Sequence, residues 1–483
     1  MVDGRRDPRA ARAAGAEEAD RRPGHPERRS IGFFAICLGY FAIILDGSVL
    51  NVAIPAIRRD LGGSLATAQW VLNGYTLTLT ALLLTAGVLG DRIGLRRTLL
   101  GGVLVFTGAS ALCAVAPDAA ALIAARVVQG VGAAALLPAT LALIPHLFPD
   151  AGERARATVV WVAVGAISVA LGPLVGGLLI DAFGWRSIFL INLPVGVAAA
   201  ALARWSVPET PRRATPVDRL GQCTAAAALA LLTVGLIRGG EVGWDAPSTL
   251  VPLALAVVAG AVFHRAERRG AHPILPPAFL AQPLRATAVA SAGLMGFLFY
   301  GTLFVMSLYF QQLRGWSPGS TGFALLPMTV GSTVGPLAFY RPLAARYGHP
   351  AMLLGGFCCC AAGVATLTAA GPDARYPLLA LGLLLVGVAS TMVFSALTSL
   401  LMAATSDRQA GLASGMQNTT RQGGALIAVS VLGALLNSGT LSAASLRGAL
   451  PAAFTVLVVA VALGVTVAVL AVRAAARAAR AAA

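Results

Sequence analysis

The chain has 483 residues, of which 57% are hydrophobic and 12% charged, with a mean hydropathy of +0.79. So little polar surface cannot coat a water-soluble globule, and no alternation of the transmembrane β-barrel kind is visible, so the composition predicts an all-α integral membrane protein. The formal charge of +16 is carried by arginine alone, since there is no lysine, and its placement in short loops points to membrane topology rather than to nucleic acid.

Residues 1–30, rich in Arg, Asp, Glu and Pro, lack the apolar core of a cleavable signal and read as a disordered cytoplasmic tail. A span needs roughly 20 apolar residues. Fourteen stretches qualify, starting near Ile31, Ala68, Thr98, Ala120, Thr158, Ile188, Leu220, Thr249, Thr287, Gly322, Ala351, Tyr376, Leu412 and Pro451. An even number puts both termini on one side of the bilayer. That side collects 26 of the 36 arginines, while the other has seven: Arg58, Arg59, Arg186, Arg238, Arg314, Arg375 and Arg447. Without the tail's eight arginines the division is still 18 to 7, so the positive-inside rule predicts both termini in the cytoplasm and a multi-pass protein of the cell membrane. The spacing further predicts a 6+2+6 plan. A six-helix bundle over 31–205 is followed by linkers and two extra helices over 206–286, a second six-helix bundle over 287–472, and a short cytoplasmic tail over 473–483. Proline- and arginine-rich linkers flank the extra pair, and "PPAFL", 276–280, reads as a short interfacial segment. Cys37, Cys113, Cys223, Cys358, Cys359 and Cys360 match no metal spacing and read as small hydrophobes, so no metal site is expected.

Assigning all 20 acidic residues to tails, loops or spans leaves Asp46, in "FAIILDGSVLNVAIPAI", as the one carboxylate inside a span. A charge near the bilayer centre costs at least about 2.5 kcal/mol on insertion scales, so it needs a partner or a task. Arg126, in the fourth predicted span, lies roughly 9 Å from the membrane end of its helix and Asp46 roughly 12 Å from the corresponding end of the first, at about 1.5 Å per residue. The depths suit contact. One reading is a fixed ion pair that pins two helices. The other is a proton site: burial disfavours an ionised carboxyl and a guanidinium favours it, so a movement that alters hydration or the distance to Arg126 switches protonation.

Three further stretches carry a pattern. "GVLGDRIGLRR" joins the second and third spans with Gly87, Gly90, Asp91, Arg92, Gly94, Arg96 and Arg97. Its glycines permit a tight turn and close helix approach, and its charges suit helix termini, carboxylates or lipid phosphates. It resembles the signature loop of the major facilitator superfamily, which implies a cytoplasmic gate between bundles. "RVVQGVGAA", beginning at Arg126, is similar to that family's fourth-helix motif, which implies a part for Arg126 in proton coupling, with Gln129 one turn away. "GAISVALGPLVGG" resembles the fifth-helix antiporter motif of exporters through Gly165, Gly172, Pro173, Gly176 and Gly177. Gly165, Gly172 and Gly176, together with Ser168, share one helix face, smooth enough for another helix to rock upon, or simply to pack against. "LDGSVLNVAIPAI", with Asp46, Asn51 and Pro55, resembles the first-helix signature of the fourteen-helix drug:proton antiporter branch, the EmrB/QacA type, with Gly47 and Ser48 departing mildly. "GWRSIFLINLPVG", "LYFQQLRGWSPGSTGFALLP" and "GLASGMQNTTRQGGAL" also resemble that branch, and the likeness runs over about residues 31–440. The second-half counterpart of the gate loop, "GPLAFYRPLAARYG", keeps Gly335, Arg346 and Gly348 but has alanine around the expected acid.

Transporter sites of this type lie near the midplane between bundles. The ninth span concentrates Phe297, Tyr300, Phe304, Met306, Tyr309, Phe310, Gln311 and Gln312 in a chain only 6% aromatic, which suits adaptable recognition of amphipathic molecules or a packed aromatic face. Asn51, Gln129, Asn418 and Arg421 complete the candidate binding residues. Arg421 has no intramembrane acid left once Asp46 is assigned to Arg126; it binds backbone carbonyls, faces a water-filled cavity or meets an anionic substrate group. One buried carboxylate predicts neutral, monocationic or anionic substrates rather than dications, and few protons per cycle. The preferred expectation is secondary export of a lipophilic drug or antibiotic driven by proton entry, with a proton-coupled metabolite symporter as the rival. No cofactor is expected, the proton gradient serving as energy source. A lysine-free chain holds no Walker-type ATP site, and no cluster of catalytic groups suggests an enzyme.

Overall fold

The few acidic residues mark where helices begin. Asp118, Asp150 and Asp218 accept hydrogen bonds from the backbone N–H groups of Ala121, Glu153 and Gly221, and Ser64 does the same for Thr67, so short polar loops between apolar stretches become helix caps. The computed structural model describes residues 26–482 except 213–217, 271, 272, 274, 276, 336–339, 372, 406–409 and 438–442. Residues 1–25 of the expected tail, Pro276 of the interfacial segment, Asp407, Arg408 and 336–339 of the second gate segment lie outside the described residues.

The first half contains α1 (Pro26–Leu61), α2 (Leu65–Ile93), α3 (Leu95–Ala114), α4 (Ala119–Ala142), α5 (Ala151–Phe183) and α6 (Asn192–Ser206), the last entered through a helical turn at Ser187–Leu190. A pair, α7 (Arg219–Val242) and α8 (Pro247–Arg269), follows; then come a turn at Pro277–Leu280 and α9 (Pro283–Leu308), which runs on as a π turn over Tyr309–Leu313. The second half continues with α10 (Pro318–Gly335), a short helix Arg341–Tyr347, α11 (His349–Ala370), α12 (Tyr376–Ala403), α13 (Ala410–Leu436) and α14 (Ala443–Ala482). No strand occurs among the described residues.

Among the described residues, twelve helices are long and apolar enough to cross a membrane, or 13 if α2, bent by 60° between Leu83 and Thr85, counts as one span. The helix at the tenth expected span, α10, is 18 residues of mostly Gly, Pro, Ser and Thr, too polar to count on composition. The bend in α2 has a local cause. Gln222 of α7 donates through Nε2 to the carbonyl of Ala81 and accepts from Thr85 Oγ1, so a foreign side chain occupies the helix's hydrogen-bond ladder where the axis turns.

Two apolar cores divide the molecule. One, including Ile36, Leu99, Phe106, Leu136 and Trp161, is drawn wholly from residues before 208, at the helix ends nearer the arginine-rich loops. The larger one begins at Val49 and Leu50, includes Phe189, and runs through α9 to α14. The halves therefore share a continuous core toward their arginine-poor ends. Polar bonds join them there too. Gln69 Nε2 donates to the carbonyls of Val429 (2.8 Å) and Ser430 (3.0 Å), Asn73 to Ser430 Oγ (2.9 Å), Ser307 Oγ to the Asn51 carbonyl (2.8 Å) and Gln311 Nε2 to that of Val52 (3.0 Å). Asp181, at the end of α5, accepts from Ser317 Oγ (2.9 Å) and from the Gly319 backbone N–H (3.0 Å) in the first turn of α10. Further along the same helix pair, Thr333 Oγ1 donates to the Ala166 carbonyl at 3.2 Å.

Candidate functional site: a buried carboxylate–guanidinium network and an inter-bundle seam

Asp46 and Arg126 are each 1% exposed, and Arg126 Nη1 lies 2.5 Å from Asp46 Oδ2. Two buried charges are tolerable only when their remaining hydrogen-bonding capacity is met. Here the other carboxylate oxygen, Oδ1, accepts from Gln129 Nε2 and from Asn192 Nδ2, both at 3.0 Å. Those two amides also donate to Ser110 Oγ, at 2.8 and 3.3 Å, and Arg126 Nη1 donates to Gln129 Oε1 at 2.6 Å. Arg126 Nε donates to the Val71 carbonyl of α2 (3.2 Å), and the guanidinium lies over the Tyr75 ring, 4.3 Å from its centroid. Helices α1, α2, α3, α4 and α6 thus converge on one ion pair.

The depth match of Asp46 and Arg126 correctly anticipates their contact. Gln129, a candidate substrate ligand, is fully buried inside this network. Ser110, Asn192 and Tyr75 were not anticipated; isolated neutral polar residues in apolar helices carry no compositional signal, although Asn192 lies within "GWRSIFLINLPVG". Removing one donor from a buried polar group costs roughly 1–3 kcal/mol. Asn192→Ala is therefore expected to lower the thermal unfolding midpoint in detergent, whereas truncating lipid-facing Val197, 64% exposed on the same helix, leaves it in place.

The gate-loop residues bond to the first half and to the start of the linker that follows it. Gly94 adopts φ 95°, and a Cβ there would sit 2.9 Å from Glu209 Oε1, which explains glycine at the turn. Arg96 and Arg97 approach Glu209 at 3.9 and 3.5 Å, Arg96 also donates to the Arg204 carbonyl, and Thr210 Oγ1 accepts from the Leu95 N–H at 2.7 Å. Asp91 and Arg92 are exposed; Gly87 has open space around it, and Gly90 lies against Leu95.

The antiporter-motif glycines form two distinct contacts. A Cβ at Gly165, Gly172 or Gly176 would overlap Tyr40, Ser48 or Val49 of α1, within the first half. One at Gly177 would overlap the backbone carbonyl of Pro318 in the second half, and Gly322 of α10 meets the backbone of Pro173 in the same way. The motif is thus a seam between α5 and both α1 and α10.

Candidate binding residues separate by depth. Phe304 and Tyr309 are buried in the shared core, Gln311 is engaged with Val52, and Asn51 donates to its own helix at Gly47 and Ser48 while its carbonyl receives Ser307. Gln312 is half-buried. Toward the arginine-rich side of the shared core, Phe297 and Tyr300 are also half-buried, and Arg421 and Asn418 of α13 share a 3.2 Å hydrogen bond.

A lipid-spanning helical chain in two halves, joined at one end and holding a buried ion pair inside the first, has the build of a membrane transporter. The chain belongs to the Major Facilitator Superfamily, whose family model matches residues 36–429. It is 36% identical over 411 residues to the methylenomycin A resistance protein of Streptomyces coelicolor, covering 84% of this chain and 85% of that one. It is likewise 36% identical over 411 residues to the tetracenomycin C resistance and export protein of Streptomyces glaucescens, covering 84% and 75%. Its fold is similar to that of a solved bacterial homolog of the human lysosomal transporter Spinster, in an inward-facing and occupied conformation, with TM-score 0.66 and 15% identity over 93% of this chain and 98% of that one. The similarity to antibiotic-resistance proteins agrees with the drug-exporter branch that the first-helix and fifth-helix motifs resemble.

Proposed function

We propose that this protein is a secondary exporter of lipophilic drugs or antibiotics in the cell membrane, driven by proton entry, with both termini cytoplasmic. In this reading α10 is also a span, completing fourteen, and bundles 31–205 and 287–472 rock about the α5 seam while residues 206–286 supply two peripheral helices. The observation that carries it is Asp46: a membrane-embedded carboxylate on α1, hydrogen-bonded through both oxygens to Arg126 and Gln129 of α4 and Asn192 of α6. Protonating it removes the negative half of the ion pair and leaves the Arg126 charge uncompensated in a dry core, which supplies a free-energy difference between two arrangements of the helices. The join of the halves at the arginine-poor ends corresponds to a state closed to the outside, with the gate loop disengaged on the cytoplasmic side. Alternating access follows when the Asp181, Gln69 and Gln311 contacts break and the gate loop finds partners in the second half.

The test is transport in proteoliposomes of known orientation with a panel of lipophilic antibiotics. An acid exterior is expected to drive substrate outward from the cytoplasmic face, and reversing the pH gradient to reverse net flux. Substrate movement in the same direction as the proton would instead identify the symporter.

A further inference from the structure

Arg421 differs from the other deep arginine. Whereas Arg126 has a carboxylate at 2.5 Å, no acidic oxygen lies within salt-bridge distance of Arg421 among the described residues. Its Nη2 donates to Asn418 Oδ1 on its own helix, a neutral acceptor, and its Nε is buried with no hydrogen-bond partner. The guanidinium lies 5.6 Å from the centroid of Phe394 on α12. An unneutralised, partly desolvated guanidinium with an orphan N–H therefore stands beside the Phe394 ring.

With Asp46 ionised, the Asp46–Arg126 pair is neutral, so the intramembrane groups sum to one positive charge, located at Arg421. A cationic ligand would add a second positive charge in low dielectric, whereas a monoanion would cancel the first and satisfy the orphan Nε–H. We propose that Arg421 is an anion subsite for the transported molecule, with Asn418 and the Phe394 ring beside it, and that the preferred substrates are amphiphiles with one carboxylate or similarly acidic oxygen next to an aromatic or polycyclic body. This rests on the transporter reading above and narrows its substrate class from the neutral, monocationic or anionic range that the sequence allows.

The experiment uses the full chain in nanodiscs, with no ion gradient, and two probes of nearly equal size: 1-pyrenebutyrate and its methyl ester. Saturable binding is read by pyrene fluorescence sensitised by tryptophan. A charge-assisted hydrogen bond to a buried guanidinium corresponds to about a tenfold or greater preference for the carboxylate. That preference is expected to vanish in Arg421→Gln and to return in part in Arg421→Lys, which keeps the charge but not the planar fork. Equal binding of acid and ester, no saturable binding of the acid, or an undiminished preference in a folded Arg421→Gln protein would overturn the assignment. Because no gradient is present, failure here leaves the proton-antiport reading standing, and loss of proton coupling leaves this result unchanged.

Discussion

Asp46→Asn is expected to uncouple the protein without emptying its substrate site. A carboxamide has nearly the shape of a protonated carboxyl. Its oxygen can still accept from Gln129 and Asn192, which meet Asp46 Oδ1 at 3.0 Å, while its nitrogen turns toward Arg126 and cannot neutralise it. The substitution therefore holds the network permanently in the charge state of the proton-loaded form. For one proton per substrate, each unit of pH gradient supports about a tenfold concentration ratio, since one unit corresponds to about 1.36 kcal/mol. In proteoliposomes the wild-type steady-state ratio should scale with the gradient, whereas Asp46→Asn should equilibrate substrate to a ratio near one. Substrate counterflow, which needs no net proton movement, should persist. A structural ion pair predicts something else: loss of both activities together, with a fall in thermal stability of the several kcal/mol seen when one partner of a buried pair is removed. Gradient-dependent accumulation by the Asn variant at the wild-type ratio would eliminate Asp46 as the proton site.

What could be read in advance follows from the strength of each physical constraint. A carboxylate in lipid is so costly that a position-by-position count finds Asp46, and helical rise alone brings Arg126 to its depth. Ser110 and Asn192 carry no such penalty signal, because a serine or asparagine in an apolar helix can satisfy itself locally, as Asn51 does through the carbonyls of Gly47 and Ser48. The aromatic concentration in α9 is visible as composition, but its use is not. Periodicity cannot tell that Phe304 and Tyr309 enter the shared core while Phe297 and Tyr300 stay half-buried, since that depends on where the second half leans on the first. The bend in α2 was equally hidden. It arises from Gln222, 141 residues away from Ala81 in sequence, rather than from a proline or glycine at the bend. At α10, the Gly, Pro, Ser and Thr content that lowers its apolarity is what lets its backbone press on α5 at Gly177 and Pro173.

That last contact separates packing from coupling. Gly172 and Gly176 meet α1, which belongs to the same half, so alanine at either site strains contacts expected to persist throughout the cycle. The expected result is a lower unfolding temperature with little change in conformational balance. Gly177 meets the Pro318 carbonyl and the Gly319 backbone across the seam, groups that no rotamer change can move aside. Overpacking of this kind costs about 1–3 kcal/mol, and in the proposed cycle only the state closed at the arginine-poor ends bears it. Gly177→Ala should accordingly shift the closed-to-open equilibrium about 5- to 150-fold toward the state open on that side. The shift can be read with a cysteine reporter at Ser307, fully buried and bonded to the Asn51 carbonyl, in a background lacking the native cysteines. A membrane-impermeant maleimide applied from the arginine-poor side should label Ser307→Cys slowly in the otherwise unaltered protein and much faster when Gly177→Ala is present, with Gly176→Ala remaining slow. Equal labelling in the two glycine variants would mean that the motif serves only to pack helices, because a strain borne by one conformation alone must change populations whereas a strain common to both cannot.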